Sequence, residues 1–215
     1  MSYIENIFVC LAAPLLISAI CMRDRGRRMI LLLLSGMTAC LLSSYISTFI
    51  ASAKGMSLMS ATLEITPMVE EIMKFLPVLF CLLVFEPKKE EIADAVLMTS
   101  VGFATFENAC YLTNNGADHI LHLVIRGFGT GAMHVVTAFL VALGLLYLWD
   151  RIWLHVAGTL GLLSVAMTYH GIYNILVSQD GPVAYVGFFV PMFTVIVTMI
   201  FSRGLRHQNT SVRQE

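Results

Sequence analysis

Charged residues are scarce in this chain. They make up 13% of its 215 residues against 58% apolar ones, too few to clothe a water-soluble surface, so a soluble globular domain is excluded. There is no basic stripe of the kind that tracks nucleic acid, and a formal net charge of −1 points to no charged partner. Paired cysteines are missing as well. Cys10, Cys21, Cys40, Cys81 and Cys110 stand singly with no C-x-x-C spacing, which excludes a disulfide framework or zinc knuckle and leaves buried, inert thiols as the expectation. Internal repeats and low-complexity segments are absent. The order of a secretory leader is also missing, because the first apolar run precedes its positive cluster instead of following it. No H-E-x-x-H spacing occurs, so nothing local marks a metal site.

What is present is a succession of apolar runs about 20 residues long, the length that crosses a bilayer. The expected fold is all-α, a polytopic membrane protein with about seven transmembrane helices at 4–22, 29–53, 67–85, 92–113, 131–149, 152–177 and 183–202. If the spans alternate, Arg23, Arg25, Arg27, Arg28, Lys88, Lys89, Arg151, Arg203, Arg206 and Arg213 fall on one side, against Lys54 and Arg126 on the other. The excess of basic residues in cytoplasmic loops then places the N-terminus outside and the C-terminus in the cytoplasm. Spans five and six meet in a tight hairpin at Trp149-Asp150-Arg151, with Trp149 and Trp153 as interfacial aromatics. One integral-membrane domain covers residues 1–202, and 203–215 form a cytoplasmic tail that reads as disordered.

Against this apolar background a few ionisable residues stand out, since an unpaired charge inside lipid costs several kcal/mol. Glu70, Glu71 and Lys74 fall in span three, Glu107 in span four, His134 in span five and His170 in span six. Thr66-Pro67 reads as the start of span three, a hydroxyl cap followed by a first-turn proline. With a rise of 1.5 Å per residue, Glu70 and Glu71 lie roughly 5 Å below the outer end of their span, and Lys74, Glu107 and His170 roughly 10 Å below theirs. All share the outer leaflet, within reach of a shallow aqueous cavity. Glu70 and Lys74 are i,i+4 and are expected to pair on one helix face, leaving Glu71 about 100° away and free for chemistry. Tyr111 follows Glu107, and Asn174 follows His170, at the same spacing. Pro77 removes the helical partner of the Met73 carbonyl and is a candidate bend. The glycine-rich Arg126-Gly-Phe-Gly-Thr-Gly131 predicts a break, with span five starting near Gly131 and residues 120–130 forming an interfacial or re-entrant piece.

Four pieces taken together, Glu70-Glu71-Ile-Met-Lys74, Gly102-Phe-Ala-Thr-Phe-Glu107-Asn108-Ala-Cys-Tyr111, Arg126 followed by His134, and His170-Gly-Ile-Tyr-Asn174, resemble the PrsW family of intramembrane proteases. That family lies within the superfamily that includes the glutamate-type CAAX prenyl endopeptidases. The resemblance covers about residues 65–178. It departs from the family in two places. An acidic, proline-containing motif after the first span is replaced by Arg23-Asp24-Arg25-Gly26, and Asn174 stands where PrsW proteins often have Asp. The resemblance implies a single protease domain over 1–202, cleaving single-span membrane proteins such as anti-sigma factors near the extracytoplasmic face of a bacterial inner membrane.

Peptide hydrolysis needs an activated water, stabilisation of the oxyanion and a proton for the leaving amine. The expected catalytic set is Glu70, Glu71, Glu107, His134 and His170. Glu71 is favoured as the base, though the sequence does not separate it from Glu70, and Glu107 shares or orients the water. Lys74, Asn108, Tyr111, Arg126 and Asn174 support them, Asn174 as a neutral donor or by orienting His170. A second version of the chemistry uses zinc or another divalent metal, with Glu107, His134 and His170 as candidate ligands. The expected partners are a transmembrane protein substrate and the lipid bilayer, with no nucleic acid. Two other classes compete: a proton-coupled transporter, because buried acid, His and Lys also make relays, and a non-catalytic membrane scaffold or immunity protein. Taken one at a time the residues have plainer readings. Glu70 and Lys74 would be an ordinary helix pair, and either histidine an interhelical hydrogen bond. His119, His122 and His155 would be structural or solvent-facing at the interfaces, Phe103 and Phe106 packing residues, and Asn108 and Tyr111 helix-packing contacts.

Overall fold

The computed structural model describes residues 4–85, 87–115, 120–148 and 152–211. Among these the chain is all helix. It runs α1 (Ile4–Cys21), α2 (Asp24–Lys54), a single turn α3 (Leu58–Ser60), a π-turn (Ala61–Ile65), α4 (Thr66–Phe85), α5 (Lys89–Asn115), α6 (Ile120–Leu148), α7 (Ile152–Val177) and α8 (Pro182–Ser211). Five of these helices, α1, α2, α6, α7 and α8, are long and apolar enough to cross a membrane. Of the seven expected spans, α4 and α5 do not meet that description, and the reason is visible in their charges. α4 carries Glu70, Glu71 and Lys74, and α5 opens with Lys89, Glu90 and Glu91 and carries Asp94 and Glu107. Both pack against α2. The large exposed apolar surface, with Ile20 at 78%, Phe49 at 74% and Phe193 at 68%, is what a lipid-facing helix bundle presents.

The α2–α5 seam is set by small residues. A Cβ on Gly36 would lie 1.9 Å from the Thr99 carbonyl oxygen, and one on Gly102 would lie 2.0 Å from that of Leu33. The two helices therefore meet backbone to backbone, as small residues allow where no hydrophobic effect drives helices together. Ala39 and Ser43 continue the buried stripe on α2. This contact fixes the helix that carries Glu107. On the other side of α5 an apolar core of Phe75, Val78, Leu82, Val96, Val141 and Leu145 ties α4, α5 and α6 together and lies below the layer of charged residues.

Several local expectations are corrected. α4 does begin at Thr66, but without the expected hydroxyl cap. The chain is helical from Leu58, capped by the Ser57 hydroxyl accepting from the Ser60 N–H, and the Thr66 hydroxyl donates to the Ala61 carbonyl at 3.2 Å within the π-turn. The glycine-rich stretch 127–131 does not break α6, which is continuous from Ile120. Packing overrides the weak propensity of glycine: a Cβ on Gly129 would sit 2.9 Å from Phe188 of α8, and the Gly127 carbonyl accepts from Asn108 Nδ2 at 3.3 Å. α4 likewise runs through Pro77. α2 begins at Asp24, so Arg25, Arg27 and Arg28 are helical and not in a loop, and α8 continues to Ser211 where a disordered tail was expected from Ser202. Cys40 is buried, but Cys10 and Cys21 face outward from the bundle. The Trp149-Asp150-Arg151 hairpin and His119 lie outside the described residues, as do the side chains of Trp153 and His155.

Candidate functional site

Four helices bring their ionisable residues to one layer. On α4 the buried face is Pro67, Glu70, Glu71, Lys74, Phe75, Val78 and Leu82, a helical stripe that turns from acidic to apolar as it descends. Glu107 enters from α5, His134 from α6 and His170 from α7. Phe103 and Phe106 are fully buried, as packing residues should be, and Phe103 also touches the site. Its ring is 5.1 Å from that of His134, and Lys74 Nζ lies 5.1 Å from its centroid.

The pairing within α4 differs from the expected one. Lys74 Nζ binds Glu71 Oε1 at 2.5 Å, an i,i+3 contact, and not Glu70. Tertiary partners decide this. The same ammonium lies 2.9 Å from His134 Nδ1 and donates to the Thr137 hydroxyl at 3.4 Å, and these acceptors stand on the Glu71 side of the helix. Glu71 Oε1 also receives His170 Nδ1 at 2.7 Å. Glu71 is therefore engaged twice instead of free. Glu70 lies 3.6 Å from His170 Nε2 and is otherwise without a hydrogen bond among the described residues.

An ammonium has no lone pair, so His134 Nδ1 must accept from Lys74, and its proton resides on Nε2. That nitrogen donates to Glu107 Oε2 at 2.6 Å. The other oxygen of Glu107 receives Arg126 Nη2 at 3.3 Å. Arg126 spans several partners: Nη1 donates to Asn108 Oδ1 at 2.6 Å, and the guanidinium lies 3.5 Å from the centroid of the Tyr111 ring. The two imidazoles meet edge to face with centroids 5.3 Å apart. Asn174 does not orient His170. It donates to the Thr62 carbonyl at 3.1 Å, linking α7 to the π-turn.

A cavity of about 760 Å³ opens above this layer, and Glu70, Glu107, Arg126, His170 and Asn174 line it while Glu71 and Lys74 do not. Both of the latter are nearly closed off, at 3% and 4% exposure. The site thus has an inner tier, Glu71 and Lys74, that holds the histidines, and an outer tier that meets the cavity.

Sequence reasoning missed Thr137, which is fully buried against Lys74, the Thr130–Tyr173 hydroxyl pair at 2.7 Å, and the cavity wall formed by Thr62 and His122. The signal for Thr130 and Thr137 was spacing, since they flank His134 at i−4 and i+3 on one helical face. Tyr173 likewise follows His170 at i+3. His122 is no bystander, for its Nε2 lies 3.3 Å from the Tyr111 hydroxyl.

Two residue groups have donor atoms close enough to share a metal ion: Glu71, His134 and His170, and Glu70, Glu107 and His134. Two histidines with carboxylates suit a catalytic zinc. The first group already surrounds the Lys74 ammonium, which supplies the positive charge there. The second reaches the cavity through Glu70 and Glu107, which makes it the more accessible of the two. A divalent cation there would take the place of the His134 Nε2 proton, which requires a neutral Lys74, and would sit beside the Arg126 guanidinium already on Glu107.

Neither the curated proteins nor the solved structures compared with this chain give a match. Residues 26–200 do match a protein family described as PrsW family intramembrane metalloprotease. That stretch contains every site residue named above and most of the chain. The apolar helices and the family agree on a multi-pass membrane protein, and the chain belongs to the PrsW family of intramembrane metalloproteases.

Proposed function

We propose that this protein is an intramembrane endopeptidase that cuts single-span membrane proteins near the extracytoplasmic face of a bacterial inner membrane, with anti-sigma factors as the substrate class the family resemblance implies. The observation that carries the reading is the shared exposure of Glu70, Glu107 and His170 to one cavity of about 760 Å³, backed by a buried tier that fixes their orientation. The charge distribution supports the topology: the basic ends of the helices lie opposite the site and face the cytoplasm.

Glu70 is the proposed base. It is the cavity-facing carboxylate of the Glu70-Glu71 pair, and neither Lys74 nor Arg126 holds it. Glu71 accepts Nδ1–H from His170 and so leaves the Nε2 lone pair of that ring directed toward Glu70 and the cavity, the carboxylate–imidazole arrangement that turns a histidine into a proton acceptor. A water between Glu70 and His170 Nε2 loses its proton to this pair as it attacks the peptide carbonyl, and the proton is then available to the leaving amine. Glu107, bound by His134 and Arg126, orients the water, while Arg126 and Asn174 line the cavity as donors for the developing oxyanion. A divalent cation bound by Glu70, Glu107 and His134 would supply Lewis-acid polarisation and a more acidic water.

Cleavage of co-expressed, tagged single-span proteins in membranes tests the reading. Glu70→Gln and Glu107→Gln are each expected to lower product formation by about 10²–10⁴-fold, the usual contribution of acid–base groups, with the protein still inserted. Loss of cleavage on chelation, restored by zinc, assigns the metal version. Identical products from wild type and both variants over a broad substrate set would refute the peptidase and move proton-coupled transport to the front.

A further inference from the structure

At the opposite, basic end of the bundle two cavities meet around one arginine. The first, about 500 Å³, is a polar chamber lined by Asp24, Arg25, Arg28, Lys88, Glu91 and Asp94, with Met29 and Leu32. The second, about 630 Å³, is a groove between α2 and α4. It begins at Asp24, Arg27 and Arg28 and continues past Leu31 and Phe85 to Phe80, Cys81, Ser35 and Pro77. Asp24, Arg28 and Leu32 belong to both. Arg28 to Ser35 spans seven residues, so the groove descends roughly 10 Å into the apolar part of the bundle. Leu31, Phe80 and Phe85 are exposed along it, at 47%, 58% and 64%. A charged chamber that opens into an apolar groove has the shape of an amphiphile.

The charges select which amphiphile. Arg25 pairs with Asp94 at 2.7 Å, and Arg28 Nη1 pairs with Glu91 at 2.7 Å. Those four cancel. Among the described lining residues this leaves Lys88 and Asp24 in the chamber, neither with an ion pair, and Arg27 at the mouth of the groove, where its Nε donates to the Ala19 and Met22 carbonyls. There is also one donor in want of an acceptor, because Arg28 Nη2 is buried without a hydrogen-bond partner. A buried donor left unsatisfied costs about 1–3 kcal/mol, and a phosphate oxygen would satisfy it with a charge-assisted bond. A headgroup with no cation of its own would leave Asp24 without a partner.

We propose that the chamber and groove around Arg28 hold one aminophospholipid, its phosphate between Arg28 Nη2 and Lys88, its primary ammonium on Asp24, and an acyl chain in the groove between α2 and α4. This site lies away from the Glu/His layer and is independent of the peptidase reading. Asp24 opens α2 with φ of +51°, a left-handed conformation that Asp and Asn tolerate better than most residues, so Asp24→Asn removes the charge while keeping the turn. Lys88 is exposed and its charge can be removed without leaving a buried partner.

The test is native mass spectrometry of the purified full chain in detergent, loaded with phosphatidylethanolamine, phosphatidylcholine or phosphatidylglycerol of matched acyl chains. The expected result is one retained phosphatidylethanolamine per chain, with at least tenfold preference over the other two. Lys88→Gln and Asp24→Asn should each abolish that preference at unchanged helical content by circular dichroism. Equal retention of the three lipids, preference for phosphatidylglycerol, or a preference that survives both substitutions would overturn the proposal. So would displacement of the bound lipid by free phosphoethanolamine at low millimolar concentration, because the acyl groove would then contribute nothing.

Discussion

Lys74→Met is the most informative single substitution in the buried tier. Methionine keeps the length of the stem and removes the ammonium that binds Glu71 at 2.5 Å and His134 at 2.9 Å. The Lys74 and Glu71 side chains are only 5% and 4% exposed, so the pair gains no relief from water when it is broken. Removing one partner of a buried pair costs about 3–5 kcal/mol. Glu71 keeps its second donor, His170 Nδ1 at 2.7 Å, which places the expected loss at the lower end, about 3 kcal/mol, or about two decades in the unfolding equilibrium. Reversible unfolding in mixed micelles, followed by circular dichroism, measures it. Adding Glu71→Gln should recover part of the loss, because the cost arises from a charge left alone, and a coupling of about 0.5–3 kcal/mol is expected between the two positions. Glu70→Gln, which reaches Lys74 only through His170 and Glu71, should couple to Lys74→Met more weakly than Glu71→Gln does. A loss under about 1 kcal/mol for Lys74→Met, or coupling to Glu70 in place of Glu71, would refute the arrangement of the inner tier.

Further expectations follow from other contacts. Gly36→Ala and Gly102→Ala each drive a Cβ into a backbone carbonyl, at 1.9 and 2.0 Å, so each should cost about 1–3 kcal/mol or more in thermal unfolding and lower cleavage by displacing Glu107. Gly131→Ala, where nothing lies within 4 Å, should be neutral or stabilise by about 0.5–1 kcal/mol, since it sits inside a continuous helix. Arg126→Lys keeps the charge but not the fork that reaches both Asn108 and Glu107. A drop of about tenfold in kcat/KM is expected, equivalent to about 1.4 kcal/mol, and full activity would show that Arg126 acts as a point charge only.

The candidate site was more legible than its wiring. That Glu70, Glu71, Lys74, Glu107 and His170 would gather in one layer followed from depth, because residues at similar distances from the helix ends share a plane, whereas His134 was placed there only through the break expected near Gly131, which α6 does not have. Which carboxylate takes the lysine did not follow. The i,i+3 and i,i+4 contacts are close to equal on one isolated helix, and the choice was made by His134, Thr137 and His170 from two other helices. The continuity of α6 was hidden for a similar reason. Glycines at 127 and 129 signal a break locally, whereas here Gly129 makes room for Phe188 and the Gly127 carbonyl accepts from Asn108, partners distant in sequence. The start of α4 at Thr66 was legible, but the helical turns before it were not, because a π-turn has no simple residue signature. The α2–α5 seam was visible in principle as Gly36 and the small residues after it, but only the structure shows that Gly102 answers it.

The π-turn at Ala61–Ile65 carries a consequence of its own. An extra residue in one helical turn rotates everything before it by about 100° relative to everything after it. The wall of the cavity and the Glu70-Glu71-x-x-Lys74 face are therefore out of phase along what is otherwise one rod, and each can face the same interior space. Deleting a single residue from that turn would restore an ordinary helix, swing Leu58 and Met59 about a quarter of a turn around the axis, and carry the Thr62 carbonyl away from Asn174. The proposed catalytic motif and the rim of the cavity are in this sense geared separately, so that one can vary in angle while the other stays fixed.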